Sequence, residues 1–378
     1  MKRYSPLLCF LMVFAVLVSG CTDETPPAAQ DGPKAVEQVG QVPEEFQAVV
    51  AENRFHGVAA FEDRVLKSEI IAEDKEARTV THRVAMMDLY GQELAACTLS
   101  SDDACHIDTL TATGDGGFLF VLGFRDYARS QNEWASDGGF ASRVVKCDVS
   151  GNIQFDTAFP ETEGSALEFC FEKDGRFYFF GTVQTPETKT RGTYSATDIH
   201  MAILDDQGTV LKRSLIAGSD FDSLDAAEES DNGFMLSVSS QSEDGDFSGS
   251  GSGGYPMDWV ITVNDALEVT AQEKRSGRAY SDRRIGELDG TAVYQSSELL
   301  EDFDAGRPTA FLDYGDFYLI VSENNTGSYE NTPVFFSSIW YYTETVYSAY
   351  DADGTLLFRA AVDSSPDYDA IVEGLGDD

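Results

Sequence analysis

Basic side chains are scarce in this chain: 26 Lys and Arg stand against 66 Asp and Glu over 378 residues, a formal net charge of −40. Such a surface repels phosphate backbones, because nucleic-acid binding depends on clustered Lys and Arg, so nucleic acid is excluded as a partner. Histidine is scarcer still, and His56, His82, His106 and His200 are scattered without the paired spacing of a metal-binding helix, so no metal site is assigned to them. No Gly-x-Ser-x-Gly elbow is present, which removes the nucleophile signature of the α/β-hydrolases. Residues 249–254, Gly-Ser-Gly-Ser-Gly-Gly, match the dinucleotide glycine fingerprint in form only. Tyr255-Pro256 follows where a helix has to begin, so the run reads as a flexible loop. The apolar run at residues 7–18 is twelve residues long, whereas a helix across the ~30 Å bilayer core needs ~20, so a retained membrane span is not expected.

What that short run does form is an export signal. Lys2 and Arg3 make a charged start, the apolar segment follows, and Val18-Ser19-Gly20 leads into Cys21. The order resembles the bacterial lipoprotein signal, in which the cysteine is diacylated on its thiol and becomes the new N-terminus; the alternative is an ordinary cleaved signal. The resemblance implies lipid attachment at Cys21 and an extracytoplasmic address on the cell membrane or outer membrane. Loss of Lys2 and Arg3 leaves 24 bases against 66 acids, a net charge of −42. Saline surroundings, collected divalent cations, a basic partner, or solubility alone all account for such acidity. Residues 21–45, with Pro26-Pro27 and Asp31-Gly32-Pro33, read as a flexible tether that would hold the body roughly 25–30 Å from its anchor. Residues 46–378 form the folded domain. Its cysteines are Cys97, Cys105, Cys147 and Cys170, in a compartment where disulfides persist. Cys97 and Cys105 flank the polar stretch Ser100-Ser101-Asp102-Asp103, so a hairpin would bring that pair together as a disulfide.

The domain repeats itself. An apolar run entering a turn that starts with Asp or Asn begins its turn at Asp88, Asp148, Asp205, Asn264 and Asp351, with the first four spaced by 60, 57 and 59 residues. A second turn signal stays in step: Gly57-Val58, Asp115-Gly116-Gly117-Phe118, Asp174-Gly175-Arg176-Phe177, Asp231-Asn232-Gly233-Phe234 and Gly315-Asp316-Phe317. Four short strands per repeat of about 58 residues predict an all-β fold, a β-propeller of five or six four-stranded blades. A β-sandwich is the alternative. Gly290, 57 residues after Gly233, marks residues 288–312 as a reduced blade or an insertion. Residues 46–51 and 368–372 fall where outer strands belong.

The run from Asp115 to Gly123, followed by residues 144–155 with Gly151-Asn152-Ile153, resembles a repeat of exported bacterial β-propellers with Asp-Gly-Gly-aromatic turns. Phe155 stands where that family has Trp, and Leu267 where it has the turn Gly. A looser similarity connects the chain to pyrroloquinoline-quinone-type propellers, including an outer-membrane assembly lipoprotein. These resemblances imply a binding or assembly scaffold at the cell envelope. Long connections from the first to the second strand of each repeat, at residues 125–142, 184–198, 240–258 and 322–345, carry Tyr127, Trp134, Tyr194, Tyr255, Trp340, Tyr341 and Tyr342. Exposed aromatics on such loops can stack on a glycan or anchor a protein, so Trp134, Tyr194, Tyr255, Trp340 and Tyr341 are the ligand-binding candidates. The alternative function is a carbohydrate hydrolase using paired carboxylates in the propeller channel. No cofactor is assigned; Asp220, Asp222 and Asp225, or Asp244 with Asp246, are candidate Ca²⁺ ligands that equally suit turns.

Overall fold

The structure is a computed structural model. It describes residues 36–102, 105–125, 140–159, 165–183, 197–218, 220–242, 245–247, 257–275, 283–295, 306–331 and 338–365. Cys21, Trp134, Tyr194, Tyr255, Asp244 and residues 368–372 lie outside them. No helix among the described residues is long and apolar enough to cross a membrane.

The fold is all-β, with five four-stranded antiparallel sheets and one two-stranded sheet. The first sheet runs β1 (Val58–Ala60), β2 (Val65–Asp74), β3 (Thr79–Met87) and β4 (Glu93–Asp102). The second holds β5 (Cys105–Ala112), β6 (Phe118–Arg125), β7 (Phe140–Cys147) and β8 (Ile153–Phe159). The third comprises β9 (Ser165–Lys173), β10 (Arg176–Val183), β11 (Asp198–Leu204) and β12 (Val210–Ile216), and the fourth β13 (Asp222–Ser230), β14 (Gly233–Ser240), β15 (Met257–Val263) and β16 (Val269–Arg275). A hairpin of β17 (Arg283–Leu288) and β18 (Thr291–Gln295) follows. The last sheet has β19 (Arg307–Asp313), β20 (Phe317–Asn331), β21 (Ser338–Asp351) and β22 (Leu356–Asp363). Within every sheet strands pair in chain order, an arrangement consistent with a propeller-like β fold.

Burial follows each strand's rank in its sheet. Central strands are covered on both faces, so β11 is buried at every position, whereas outer strand β12 alternates and β16 is exposed throughout. The core is therefore divided among interfaces. One cluster joins the first and second sheets around Met86 and Phe120, the next joins the second and third around Phe155 and Phe179, and another joins the third and fourth around Phe180 and Phe234. Leu288 and Val293 of the hairpin pack on Ile320 and Tyr350 of the last sheet. The last sheet packs on the first through Leu319, Tyr347 and Val65, and β1 contacts β19.

The turn between the third and fourth strands is built alike in all five full sheets. Asp88, Asp148, Asp205, Asn264 and Asp351 each accept backbone amides two and four residues on through Oδ1, at 2.7–3.0 Å. The residue three positions on then takes positive φ, from +54° at Leu267 to +82° at Gly151. In the second sheet Asp115, from the other turn signal, binds the buried Lys146 ammonium at 2.9 and 3.0 Å and accepts from Thr113 and the Gly117 amide. Burial favours its neutral form, but these donors outweigh it and hold the Asp115 carboxyl at about 2.

Three expectations are corrected. Residues 46–51 belong to helix α1 (Glu44–Ala51), not an outer strand; Phe46 and Val49 point into the core while Glu44 and Glu45 suit the helix N-terminus. The edge of the last sheet is met instead by Val39, paired antiparallel with Arg359, and the Val36 amide donates to Glu344 Oε1 at 2.8 Å. Residues 36–45, read as tether, thus run along the body. Second, the long connections join the second and third strands of a sheet, and the first sheet has only a short turn at residues 75–78 there. Third, the segment 322–345 is mostly strand: β20 and β21 stay paired from Phe317↔Asp351 out to Asn331↔Ser338.

Candidate functional site

The first strand of each sheet faces a shared cavity of about 640 Å³. Its wall includes Ala59 of β1, Thr109 of β5, Glu168 of β9, Asp225 of β13, Ile285 of β17 and Thr309 of β19, one strand from each of the six sheets. Five of these strands break register at one residue: Asp108 in β5, Glu168 in β9, Asp225 in β13, Ile285 in β17 and Thr309 in β19. Each of the five lines the cavity. A bulge inserts an unpaired residue and re-aims its side chain, so five of the six sheets each deliver one selected side chain to the same cavity. Three successive sheets deliver carboxylates, and the next two an aliphatic and a hydroxyl group.

Asp108 lies 2.7 Å from His106 Nε2, and its side chain is 7% exposed. It also presses on β6: a Cβ at Gly123 would sit 1.8 Å from Asp108 Oδ2, so a larger residue there would displace the carboxylate. The wall between the second and third sheets is tied by hydroxyls, with Thr109 donating to the Glu168 carbonyl and Thr111 to that of Cys170. Phe61, Phe169, Phe171 and Phe311 supply apolar surface, and the Arg307 guanidinium donates to Glu323 at 2.9 Å. Three carboxylates against one guanidinium make the cavity negative, and the mixed polar and aromatic lining is of the kind that holds small ligands.

Among the described residues, a carboxyl with a strongly raised pKa lies elsewhere. Asp222 is wholly buried at the start of β13 and accepts hydroxyl bonds from Ser240 at 2.6 Å and Ser242 at 2.9 and 3.0 Å. Burial pushes its carboxyl up to about 7 against the pull of those donors, with nearby Asp198 adding to the rise.

The sequence candidates are dispersed. Asp222 and Asp225 diverge along β13, Asp220 Oδ1 accepts the Phe221 amide, and Asp246 Oδ2 accepts that of Ala217. Among the described residues no three His, Cys, Asp or Glu gather as a metal-binding group. Trp340 and Tyr341 fall on β21, opposite Tyr329 and Ser328. Tyr342 is 43% exposed. Cys97 and Cys105 are not bonded to each other and lie on different sheets, because β4 ends at Asp102 and Cys105 opens β5; the expected hairpin between them does not form. Cys97 meets Cys147 instead.

Sequence reasoning missed Asp108 and Glu168 and singled out Asp225 only as a candidate Ca²⁺ ligand, although a signal for the cavity acids exists. Asp108, Glu168 and Asp225 precede the aromatic of the next turn, Phe118, Phe177 and Phe234, by ten, nine and nine residues. Aligning the repeats on that aromatic brings Glu168 and Asp225 into one column and leaves Asp108 one position before it.

No family model and no curated protein matches the chain. Among solved structures, a chimera of apocarotenoid oxygenase and RPE65 is 11% identical with a TM-score of 0.35, covering 79% of this chain and 58% of its own. The cobalt-substituted Synechocystis apocarotenoid oxygenase is also 11% identical, with a TM-score of 0.35 and coverage of 80% and 58%. The α-L-arabinofuranosidase of Lactobacillus brevis is 12% identical, with a TM-score of 0.32 and coverage of 75% and 91%. This chain thus spans 58% of the length of each of those two oxygenase structures. Similarity at this level assigns neither a fold nor a chemistry.

Proposed function

We propose that this protein is a lipid-anchored, extracytoplasmic β-propeller of six blades, the fifth reduced to a hairpin, acting as a binding or assembly scaffold at the cell envelope. The contact of β1 with β19 and the wall drawn from six first strands support a closed ring. The signal ending in Cys21 supports the anchor. One observation carries the binding role: the β20–β21 hairpin outgrows its sheet. β19 reaches only to Glu323 and β22 only to Glu344, while β20 and β21 continue paired to Asn331 and Ser338. Eight further residues at about 3.3 Å each make an arm of roughly 25 Å. The arm grows from the connection between the second and third strands, which is also long in the second, third and fourth sheets. The partner is a protein or glycan of the envelope. Crosslinking of the full chain in intact cells, followed by capture, should retain an envelope component that is lost when Trp134 and Trp340 are both replaced by Ala; undiminished capture by that variant would refute the role. Replacing Cys21 by Ala should abolish incorporation of a labelled fatty acid.

A second reading, a carbohydrate hydrolase, is favoured by the three bulge carboxylates. Turnover of any member of a glycoside panel, abolished in Glu168→Gln or Asp225→Asn with folding intact, would select it over the scaffold.

A further inference from the structure

We infer that Cys97 and Cys147 are joined by a disulfide in the exported protein, stapling the first sheet to the second; the location rests on the export reading above, the pairing does not. Both sulfurs lie in the cluster that fills this interface, Cys97 at 4% exposure and Cys147 at none. Their thiols, unbonded in the structure, are hydrogen-bond partners. The backbones meet as well: Gly151, in the turn after β7, lies so close to Ala96 that a Cβ on it would sit 2.2 Å from the Ala96 carbonyl oxygen. The partner strands hold both cysteines in register, Cys97 opposite Val84 and Cys147 opposite Phe118. Cys105 opens β5 and Cys170 belongs to the interface of the second and third sheets, so neither shares this cluster.

The thiolate is the reacting form, so the exchange begins with the thiolate of one cysteine of the pair, here Cys97. It attacks a sulfur of a disulfide oxidant, an oxidoreductase or a small-molecule disulfide, and expels one of the oxidant's thiolates. Cys147 gives its proton to that thiolate and attacks the Cys97 sulfur, expelling the second. One S–S bond forms in the protein, and two electrons and two protons leave on the oxidant, now a dithiol or a pair of thiols. Burial of both sulfurs places the reaction during folding, before the two sheets close on each other, and shields the finished bond from reductant.

The staple closes a loop of about 50 residues, a length at which a cross-link restricts the unfolded chain substantially. Full-length protein recovered from cells should be alkylated under denaturing, non-reducing conditions, digested, and analysed by mass spectrometry. A peptide pair linking Cys97 to Cys147 is expected, with Cys105 and Cys170 carrying the label. Label on Cys97 or Cys147, or a link from Cys97 to Cys105, counts against the staple, and a second arm decides between pairing and location. There, purified full-length chain is refolded with oxidised glutathione. A bond formed here but absent from cells leaves the pairing standing and refutes export; no bond in either arm refutes the pairing. Oxidised protein should melt about 3–8 °C above reduced protein. That difference should vanish in the Cys97→Ala, Cys147→Ala double variant and survive in Cys105→Ala; an equal difference in both would overturn the assignment.

Discussion

Single residues show how much local cost the sheets tolerate where burial outweighs it. Leu267 occupies the turn position that Gly fills in the other four copies, at φ +54°. A left-handed conformation costs a non-glycine residue about 1–2 kcal/mol, yet Leu267 is 1% exposed in the cluster between the third and fourth sheets. Burying a Leu contributes ~2–3 kcal/mol, and emptying its site adds a cavity cost. Leu267→Gly, which restores the repeat's glycine, should therefore lower stability by about 1–3 kcal/mol in urea titrations; an unchanged or raised midpoint would show that strain, not burial, dominates. Asp222 illustrates the same balance with charge. Its carboxyl stands at about 7 in the fold and near 3.8 in the unfolded chain, so the folded state binds more protons between those values. The group's favourable contribution is complete below pH 3.8 and is lost as pH rises through 7. Asp222→Asn, which mimics the neutral acid among the Ser240 and Ser242 hydroxyls, should flatten the fall in Tm between pH 5 and 8. An unchanged slope would place that fall in other groups.

At the scale of elements, the repeat was legible because its turns obey local chemistry. An Asp that binds two amides and a residue at positive φ leave a short signature in the chain, and Phe118–Arg125 or Arg176–Val183 read as strands from their apolar runs. The hairpin β17–β18 could be anticipated from Gly290 alone. Features set by distant contacts could not. Phe46 and Val49 pass equally well for strand residues, and only the apolar surface made by Leu312, Tyr347 and Phe358 of the last sheet turns them into one face of α1. Cys97 was matched with its sequence neighbour because adjacency of β4 and β7 appears only after two sheets stack. The bulges are hidden for a related reason: an extra residue in a strand looks like an ordinary break in alternation. Their role can be tested at Glu168. Deleting it forces β9 into plain register and turns Leu167, fully buried, toward the opposite face. Loss of a Leu from the core costs about 3–5 kcal/mol, so the deletion should be severely destabilising by circular dichroism melts, whereas Glu168→Gln, which keeps the bulge, should stay within ~0.5 kcal/mol of wild type. Equal effects would mean that the carboxylate and not the bulge shapes the wall.

For the whole molecule, charge of one sign is the dominant long-range term. With 66 acids against 26 bases, most carboxylates have no cation to meet, and ion pairs such as Arg83 with Glu69 sit on the surface, where each contributes little. Repulsion among the remaining acids acts through solvent and is screened over roughly 8–10 Å at 0.10–0.15 M salt. Folding concentrates that charge, so compactness is opposed at low ionic strength. Raising NaCl from about 0.05 to 0.5 M should therefore raise Tm, although added salt weakens the surface pairs. Acidification from pH 8 toward 5 should do the same through Asp222, and the trend should reverse in strong acid. There Asp115, held at about 2 in the fold, loses its contribution as pH falls below 3.8 and through 2, leaving the buried Lys146 without its counter-charge. The two effects separate by variant: Asp222→Asn should remove much of the response between pH 5 and 8 while leaving the salt response intact. A Tm that falls with salt in both proteins would mean that attraction across the sheets outweighs repulsion, and the acidity would then have to be read as a feature of specific ion pairs and not of the surface as a whole.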